Sequence, residues 1–167
     1  MLLLLRTFVD IIALRKGPDS VPRSWLVVMF ALVLMVISAY ATVTVIGSET
    51  ERNYGLTAMT YGLGILFYAA IIYLSGHPQR ILQSVASIIA CGSLITFLFV
   101  AEYALFKPLL GQQFAGLVAT LILFWSVPVE GHIIARAIAQ HWFVGIAIAM
   151  VAFVLQFGLQ SALTEPR

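Results

Sequence analysis

The ionisable side chains best placed to do chemistry in this chain follow one apolar stretch, Phe114–Val129. Glu130, His132 and Arg136 come directly after it, and the stretch itself covers only about 24 Å of α-helix. A bilayer presents roughly 30 Å of hydrocarbon, so a crossing helix must either begin among the polar residues 111–113 or continue past Glu130. The second alternative puts a carboxylate and an imidazole at the membrane rim. An ionisable group at that depth is a functional hypothesis by default.

Two interpretations of this group stay open from the sequence. His132 and Arg136 are four residues apart and share a helix face, whereas Glu130 points elsewhere. They could form a site facing the cytoplasm for a proton, a lipid head group or a partner. Alternatively, the helix simply emerges from the membrane there and Arg136 extends its guanidinium to the phosphates. We favour the second interpretation at this point.

Glu102 is a candidate intramembrane acid because apolar residues flank it. It could belong to an ion or proton pathway. It could equally lie at the outer membrane interface near Lys107, where Tyr103 suits a belt of interfacial aromatic residues. We favour the interface.

Composition indicates a small multi-span membrane protein. The 167 residues are 62% hydrophobic and 10% charged, whereas soluble domains carry about 25% charged residues. A net charge of +2, without a basic patch interleaved with aromatic residues, gives no argument for nucleic acid. The chain has no room for a separate soluble domain.

No cofactor, metal centre or catalytic motif is predicted. Cys91 is alone, which excludes a disulfide framework or a cysteine-based metal cluster, and we expect it to be a small buried hydrophobe. The spacing of His77, His132 and His141 does not resemble a metal-ligand pattern. Phosphate loops, nucleophile elbows and metalloprotease motifs are missing from the sequence. We therefore expect no enzyme.

The predicted fold is an all-α membrane protein, with an N-terminal amphipathic interfacial helix and a bundle of five transmembrane helices. Residues 1–24 form the amphipathic segment, in which residues 2–16 are helical and a narrow stripe carries Arg6 and Asp10. Residues 25–167 form the bundle, with spans at about 25–46, 56–74, 81–106, 113–136 and 142–163. Lys107 and Pro108 are expected to end the third span. Small residues at helical spacing, such as Gly145 and Ala149, predict close helix packing.

The distribution of Lys and Arg predicts the orientation. With the N-terminus inside, six cationic residues are cytoplasmic: Arg6, Arg15, Lys16, Arg23, Arg80 and Arg136. Three are outside: Arg52, Lys107 and Arg167. This bias favours a cytoplasmic N-terminus and a periplasmic C-terminus.

Several short motifs resemble those of a known family. They are Asp10 with Leu14-Arg15-Lys16-Gly17-Pro18, Pro22 with Ser24, Pro78-Gln79-Arg80-Ile81-Leu82-Gln83-Ser84, Trp125-Ser126, Gly131-His132-Ile133 and Arg136-Ala137. Together with five closely spaced spans, they make the chain similar to the Yip1-type membrane domain of small bacterial inner-membrane proteins, and within it to an uncharacterised proteobacterial group. Pro128 and Glu130 depart from the apolar residues expected there. The resemblance implies this fold and an inner-membrane location, and it implies no activity.

The leading functional hypothesis is a non-enzymatic scaffold or accessory subunit of a membrane complex. Arg15, Lys16, Arg80, His132 and Arg136 would form a basic edge that, together with Glu130, meets acidic lipid head groups or a partner. The expected partners are the lipid bilayer and another membrane protein or a second copy of the chain, with no nucleic acid. The alternative is a small transporter or a proton- or ion-conducting protein that uses Glu102, Glu130 and His132. Between the two carboxylates only hydroxyl groups, such as those of Ser93, Thr96 and Thr120, are available.

Overall fold

The structure, a computed structural model, describes residues 1–46 and 54–164. Six α-helices fill these ranges, with no strand in them: α1 Leu2–Ile12, α2 Trp25–Ile46, α3 Tyr54–Leu74, α4 Ile81–Leu110, α5 Gln112–Ala137 and α6 Trp142–Thr164. Short 3-10 turns at Pro18–Ser20 and Pro78–Arg80 precede α2 and α4. Arg52 and Arg167, for which the sequence predicts the outer side, lie outside the described residues. The all-helical prediction is confirmed for the described part of the chain.

Four of the helical stretches in the described ranges are long and apolar enough to cross a membrane: Trp25–Ile46, Pro78–Leu110, Gln112–Ala137 and Trp142–Leu159. The apolar part of α3, Ala58–Leu74, is a shorter helix of the same kind. Side chains that point away from the bundle are large and apolar, among them Leu26, Val36, Leu121, Val154 and Phe157. This surface composition suits contact with lipid.

α4 continues through Lys107 and Pro108 to Leu110, whereas the sequence predicted its end before them. Proline lacks the N–H that would bond to the carbonyl four residues earlier, but in the last turn of a helix this removes few bonds. The helix ends instead at Gly111, whose φ of 84° is left-handed. Glycine adopts that conformation at little steric cost.

α4 lies at the centre of the bundle. It packs against α2 on one side and α5 on the other, while α6 packs against α5 and α3 packs mainly against α6. The best-buried side chains concentrate towards one end of the bundle and include Phe8, Ile11, Ile133 and Ile134. We call this end, which carries residues 1–24, 75–80 and 138–141, the basal end, and the opposite one the distal end.

The N-terminal segment is docked on the basal end. Phe8 and Ile11 of α1 are fully buried against the bundle, whereas Leu2, Leu3 and Val9 are exposed. The helix ends at Ile12, four residues earlier than predicted, because Leu14 adopts a left-handed φ of 59°. The N–H of Arg15 then donates to the Asp10 carbonyl at 2.8 Å, which closes a Schellman turn. This turn directs the chain from Arg15 onwards across the end of α5.

Candidate functional site

Glu130 lies inside the bundle and not at a helix end. α5 continues beyond it for about two turns, roughly 10 Å of helix, before it ends at Ala137. The hydroxyl of Tyr68 on α3 donates a hydrogen bond of 2.5 Å to Glu130 Oε2. Tyr68 is 2% exposed, so this bond joins α3 to α5 in the interior of the protein. The sequence predicted a carboxylate at the membrane rim, and the structure adds a partner for it on a neighbouring helix.

A cavity of about 510 Å³ adjoins Glu130. Its walls come from α2, α3, α4 and α5, and on α4 it extends from Ile88 to Phe99, about 16 Å of helix. Glu130 stands near the basal end of this cavity, and Phe99 and Thr42 stand towards the distal end. Its volume falls within the range of about 300–1,000 Å³ that is usual for ligand pockets.

Besides the hydroxyl of Tyr61, six serine and threonine hydroxyls line the cavity, and all six are bound to their own helices. They belong to Ser38, Thr42, Ser93, Thr96, Thr120 and Ser126. Each donates its proton to a backbone carbonyl three or four residues earlier; Ser93 bonds to Ile89 at 2.7 Å and Thr96 to Gly92 at 2.9 Å. A hydroxyl oxygen that donates its proton still has lone pairs to offer. The polar part of this wall therefore consists largely of hydrogen-bond acceptors.

The basic edge predicted from the sequence is largely occupied by contacts within the chain. His132, 9% exposed, places Nε2 at 3.0 Å from the Lys16 carbonyl, to which the ring nitrogen donates. Arg80 donates to the last carbonyls of α5, at Arg136 and Ala137, at 3.0 and 3.1 Å. A cation at a helix C-terminus stabilises the free carbonyls and the helix dipole. Four of the five edge residues are thus joined in two contacts through backbone carbonyls, His132 with Lys16 and Arg80 with Arg136.

Other charged groups of the N-terminal segment pair locally or remain exposed. Lys16 Nζ lies 2.7 Å from Asp10 Oδ2. The hydrogen bond and positive charge of Lys16 lower the pKa of the Asp10 carboxyl below its ordinary value of 3.8. The side chains of Arg15 and Arg136 are exposed and available to solvent or head groups.

Two further contacts that fix the N-terminal segment were missed by sequence reasoning. The indole N–H of Trp125 donates to the Ile12 carbonyl at 3.2 Å, and Cys91 Sγ lies 3.7 Å from the Phe8 carbonyl. Cys91 is 1% exposed and confirms the expectation of a small buried residue. Nothing in the sequence marks these pairs, because partners 113 and 83 positions apart meet only in the folded chain.

Glu102 is buried, in contrast to the interfacial position favoured from the sequence. It is 6% exposed, and neither carboxylate oxygen has a hydrogen-bond partner within the described ranges. Lys107, the neighbour expected for it, instead lies over the Tyr103 ring, 4.8 Å from its centroid. Glu102 follows Phe99 by about one helical turn, beyond the distal end of the cavity.

Potential metal ligands do not gather in this part of the chain. Within residues 1–46 and 54–164, no three side chains of His, Cys, Asp or Glu are grouped so that they could hold an ion. His77 makes a local contact, with Nδ1 at 2.8 Å from the Ser75 carbonyl. The candidate residues therefore lie mainly in two regions. One is the cavity beside Glu130, and the other is the basal end, where contacts hold the N-terminal segment.

The described residues form an all-helical bundle in which four helices are long and apolar enough to cross a membrane, an architecture compatible with a helical membrane protein. No protein-family model, curated protein or solved structure matches the chain.

Proposed function

We propose that this chain is a non-enzymatic membrane protein that binds a proton or another small cation at Glu130 and moves it through the bundle. The observation that carries the proposal is the position of Glu130, beside a cavity lined by four helices and about two turns from the end of its own helix. Burial of an ionisable group at membrane depth costs roughly 2.5–3.5 kcal/mol on insertion scales. Tyr68 offsets part of that cost by its hydrogen bond, so the pair is a reversible acid site.

Glu102 fits this proposal as a second acid near the distal end. The hydroxyls of Ser93, Thr96 and Thr120 lie between the two carboxylates, and these are the groups that the sequence offered for a relay. Their lone pairs can support a hydrated cation or a chain of water molecules. His132 takes no part in this version, because its ring bonds to the Lys16 carbonyl.

Flux through proteoliposomes tests the proposal. Purified protein is reconstituted with a pH-sensitive dye inside, a potassium diffusion potential is imposed, and proton entry is followed alongside sodium and potassium entry. We expect cation entry above that of empty vesicles, reduced to their level by Glu130→Gln. Asp19→Asn is the matched control, because Asp19 is an exposed carboxylate outside the bundle. Entry equal to that of empty vesicles, or unaffected by Glu130→Gln, would contradict the proposal.

A scaffold or accessory subunit is the second candidate, and the fixed N-terminal segment favours it. His132 and Trp125 hold the backbone of that segment on the basal end, so Arg15 and Arg136 are presented from a rigid surface. A rigid cationic surface suits acidic head groups or an acidic loop of a partner. Isolation in mild detergent with cross-linking tests this version. Recovery only as a monomer, without a co-purifying protein, would count against it.

For the membrane arrangement, we propose that α2 to α6 all cross the bilayer and that α1 lies at the interface. α3 is long enough, at about 31 Å for 21 residues. The basal end carries six cationic residues, namely Arg6, Arg15, Lys16, Arg23, Arg80 and Arg136. The positive-inside rule makes this end cytoplasmic and the C-terminus periplasmic in a bacterial inner membrane. The Yip1-type relationship remains a prediction from the sequence motifs alone.

A further inference from the structure

The chemistry of the cavity wall points to a narrower class of ligand. Besides Glu130 and the six hydroxyls, the lining is mainly apolar, with residues such as Ile65, Ile95, Phe99 and Leu123. A ligand that fits this wall has an apolar body and presents hydrogen-bond donors. We propose that the cavity binds a primary organic ammonium ion, with its charged nitrogen at Glu130. This inference rests on the proposed function in taking the cavity as the site.

The carboxylate sets the charge of the ligand. Tyr68 occupies Oε2 of Glu130, and Oε1 has no hydrogen-bond partner within the described part of the chain. An ammonium group that donates to Oε1 would form a charge-assisted hydrogen bond, which is roughly twice as strong as a neutral one. An anion would face the Glu130 carboxylate and a wall made mostly of acceptor oxygens, so the site disfavours anions.

The hydroxyls set the hydrogen-bonding character of the ligand. Because each cavity hydroxyl donates to its own helix, the remaining capacity of Ser93 and Thr96 is to accept. Tyr61 also lines the cavity, and its hydroxyl has no partner within the described residues. A primary ammonium carries three donors, whereas a quaternary ammonium carries none. The wall therefore distinguishes these two cations although their charge is the same.

The size of the cavity favours an organic cation over a bare metal ion. A dehydrated ion needs several oxygen ligands at about 2.0–2.6 Å. Here the oxygens are distributed over four helices around about 510 Å³, with apolar side chains between them. A bare ion would lack a complete shell, while an apolar body would fill the remaining space and gain from burial there.

Equilibrium binding to the full chain in lipid nanodiscs tests the inference. The probes are four molecules of similar size: 2-phenylethylammonium, its N,N,N-trimethyl derivative, 2-phenylethanol and 3-phenylpropanoate. Calorimetric titration against empty nanodiscs corrects for partition into lipid. We expect the primary ammonium to bind at least about tenfold more tightly than the other three, a difference of about 1.4 kcal/mol or more. Equal binding of the trimethyl derivative, or no binding of the primary ammonium, would overturn the inference.

Variants then locate the site. Glu130→Gln should abolish binding and Thr96→Val should weaken it. Thr44→Val is the matched control, because Thr44 is exposed on α2 and also donates to its own helix. Equal affinities of Glu130→Gln and the unmodified chain would contradict the inference.

A cavity-filling variant keeps the test decisive if Glu130→Gln fails to fold. Gly92 lines the cavity, and a Cβ added there meets no atom within 4 Å. Gly92→Leu should therefore fold and block binding. Gly116→Leu, at an equally open position outside the cavity lining, should leave binding unchanged. Persistent binding to Gly92→Leu would overturn the inference. Binding without any flux would instead contradict the proposed function and leave this inference standing.

Discussion

The hydrogen bond between Tyr68 and Glu130 decides how the carboxylate behaves inside the bundle. Tyr68 is 2% exposed, so its hydroxyl would be left without a partner if Glu130 pointed elsewhere. A buried polar group without a partner costs about 1–3 kcal/mol. Each group therefore holds the other in place. The contact fixes α3 against α5 and aligns the carboxylate with the cavity.

Tyr68→Phe should lower stability because it removes the donor to Glu130 and keeps the ring. In a double-mutant cycle with Glu130→Ala, which removes the acceptor, we expect a coupling of about 0.6–1.7 kcal/mol, between the average and the maximum measured for hydrogen bonds between membrane helices. Thermal unfolding in detergent measures it. Tyr73→Phe on the same helix is the control, since Tyr73 is 64% exposed. A coupling of zero would show that the bond does not join the two helices.

The Asp10–Lys16 pair gives the N-terminal segment a dependence on acidity. Lys16 lowers the pKa of Asp10 in the folded protein, so the pair stabilises the segment above the ordinary value of 3.8. The stabilisation is lost as the pH falls below 3.8 through the folded pKa. After correction for the intrinsic pH dependence of exchange, we expect weaker protection of the Lys16 amide in acid, and faster exchange of that amide in Asp10→Asn at neutral pH. An exchange rate in Asp10→Asn equal to that of the unmodified chain at neutral pH would count against this role of the pair.

At the scale of the elements, α5 and α6 approach most closely at two glycines. A Cβ added to Gly145 would lie 2.0 Å from the Gly131 carbonyl oxygen and 2.7 Å from Ala135 Cβ. The sequence predicted close packing from small residues such as Gly145 and Ala149, and both are buried. Ala58 and Gly62 have the same spacing of small residues, yet a Cβ added to Gly62 would meet no atom within 4 Å. Spacing alone cannot distinguish them, because alanine and glycine are common throughout membrane helices.

Gly145→Ala should separate α5 from α6 and destabilise the bundle. Overpacking of this kind typically costs about 1–3 kcal/mol. Gly158→Ala on the same helix is the matched control, since its Cβ would meet nothing within 4 Å. It should be neutral or stabilising, because alanine favours helix over glycine by up to about 1 kcal/mol. Equal melting temperatures of the two variants in detergent would rule out the close approach as the cause.

For the whole molecule, the sequence predicts where most of the helices begin and end. It does not predict which helices pack side by side. The apolar runs predicted both ends of α2 correctly and both ends of α6 to within one residue. The contact of His132 with Lys16 and that of Tyr68 with Glu130 depend on how helices far apart in sequence pack. The sequence grouped Glu130 with His132 at one charged edge, although it also indicated that the two residues point in different directions on their helix. The structure assigns Glu130 to the cavity and His132 to the N-terminal segment.

The proposed number of crossings is supported by the same contact between α3 and α5. Tyr68 bonds to Glu130, which lies about 10 Å from the end of α5, so in the proposed arrangement α3 enters the membrane beside α5. The proposed five crossings put the two termini on opposite sides. An epitope tag after residue 167 should therefore react with antibody on intact bacterial spheroplasts, and a tag before residue 1 only after permeabilisation. Equal reactivity of both tags would mean an even number of crossings. The proposal that α2 to α6 all cross the bilayer would then be wrong.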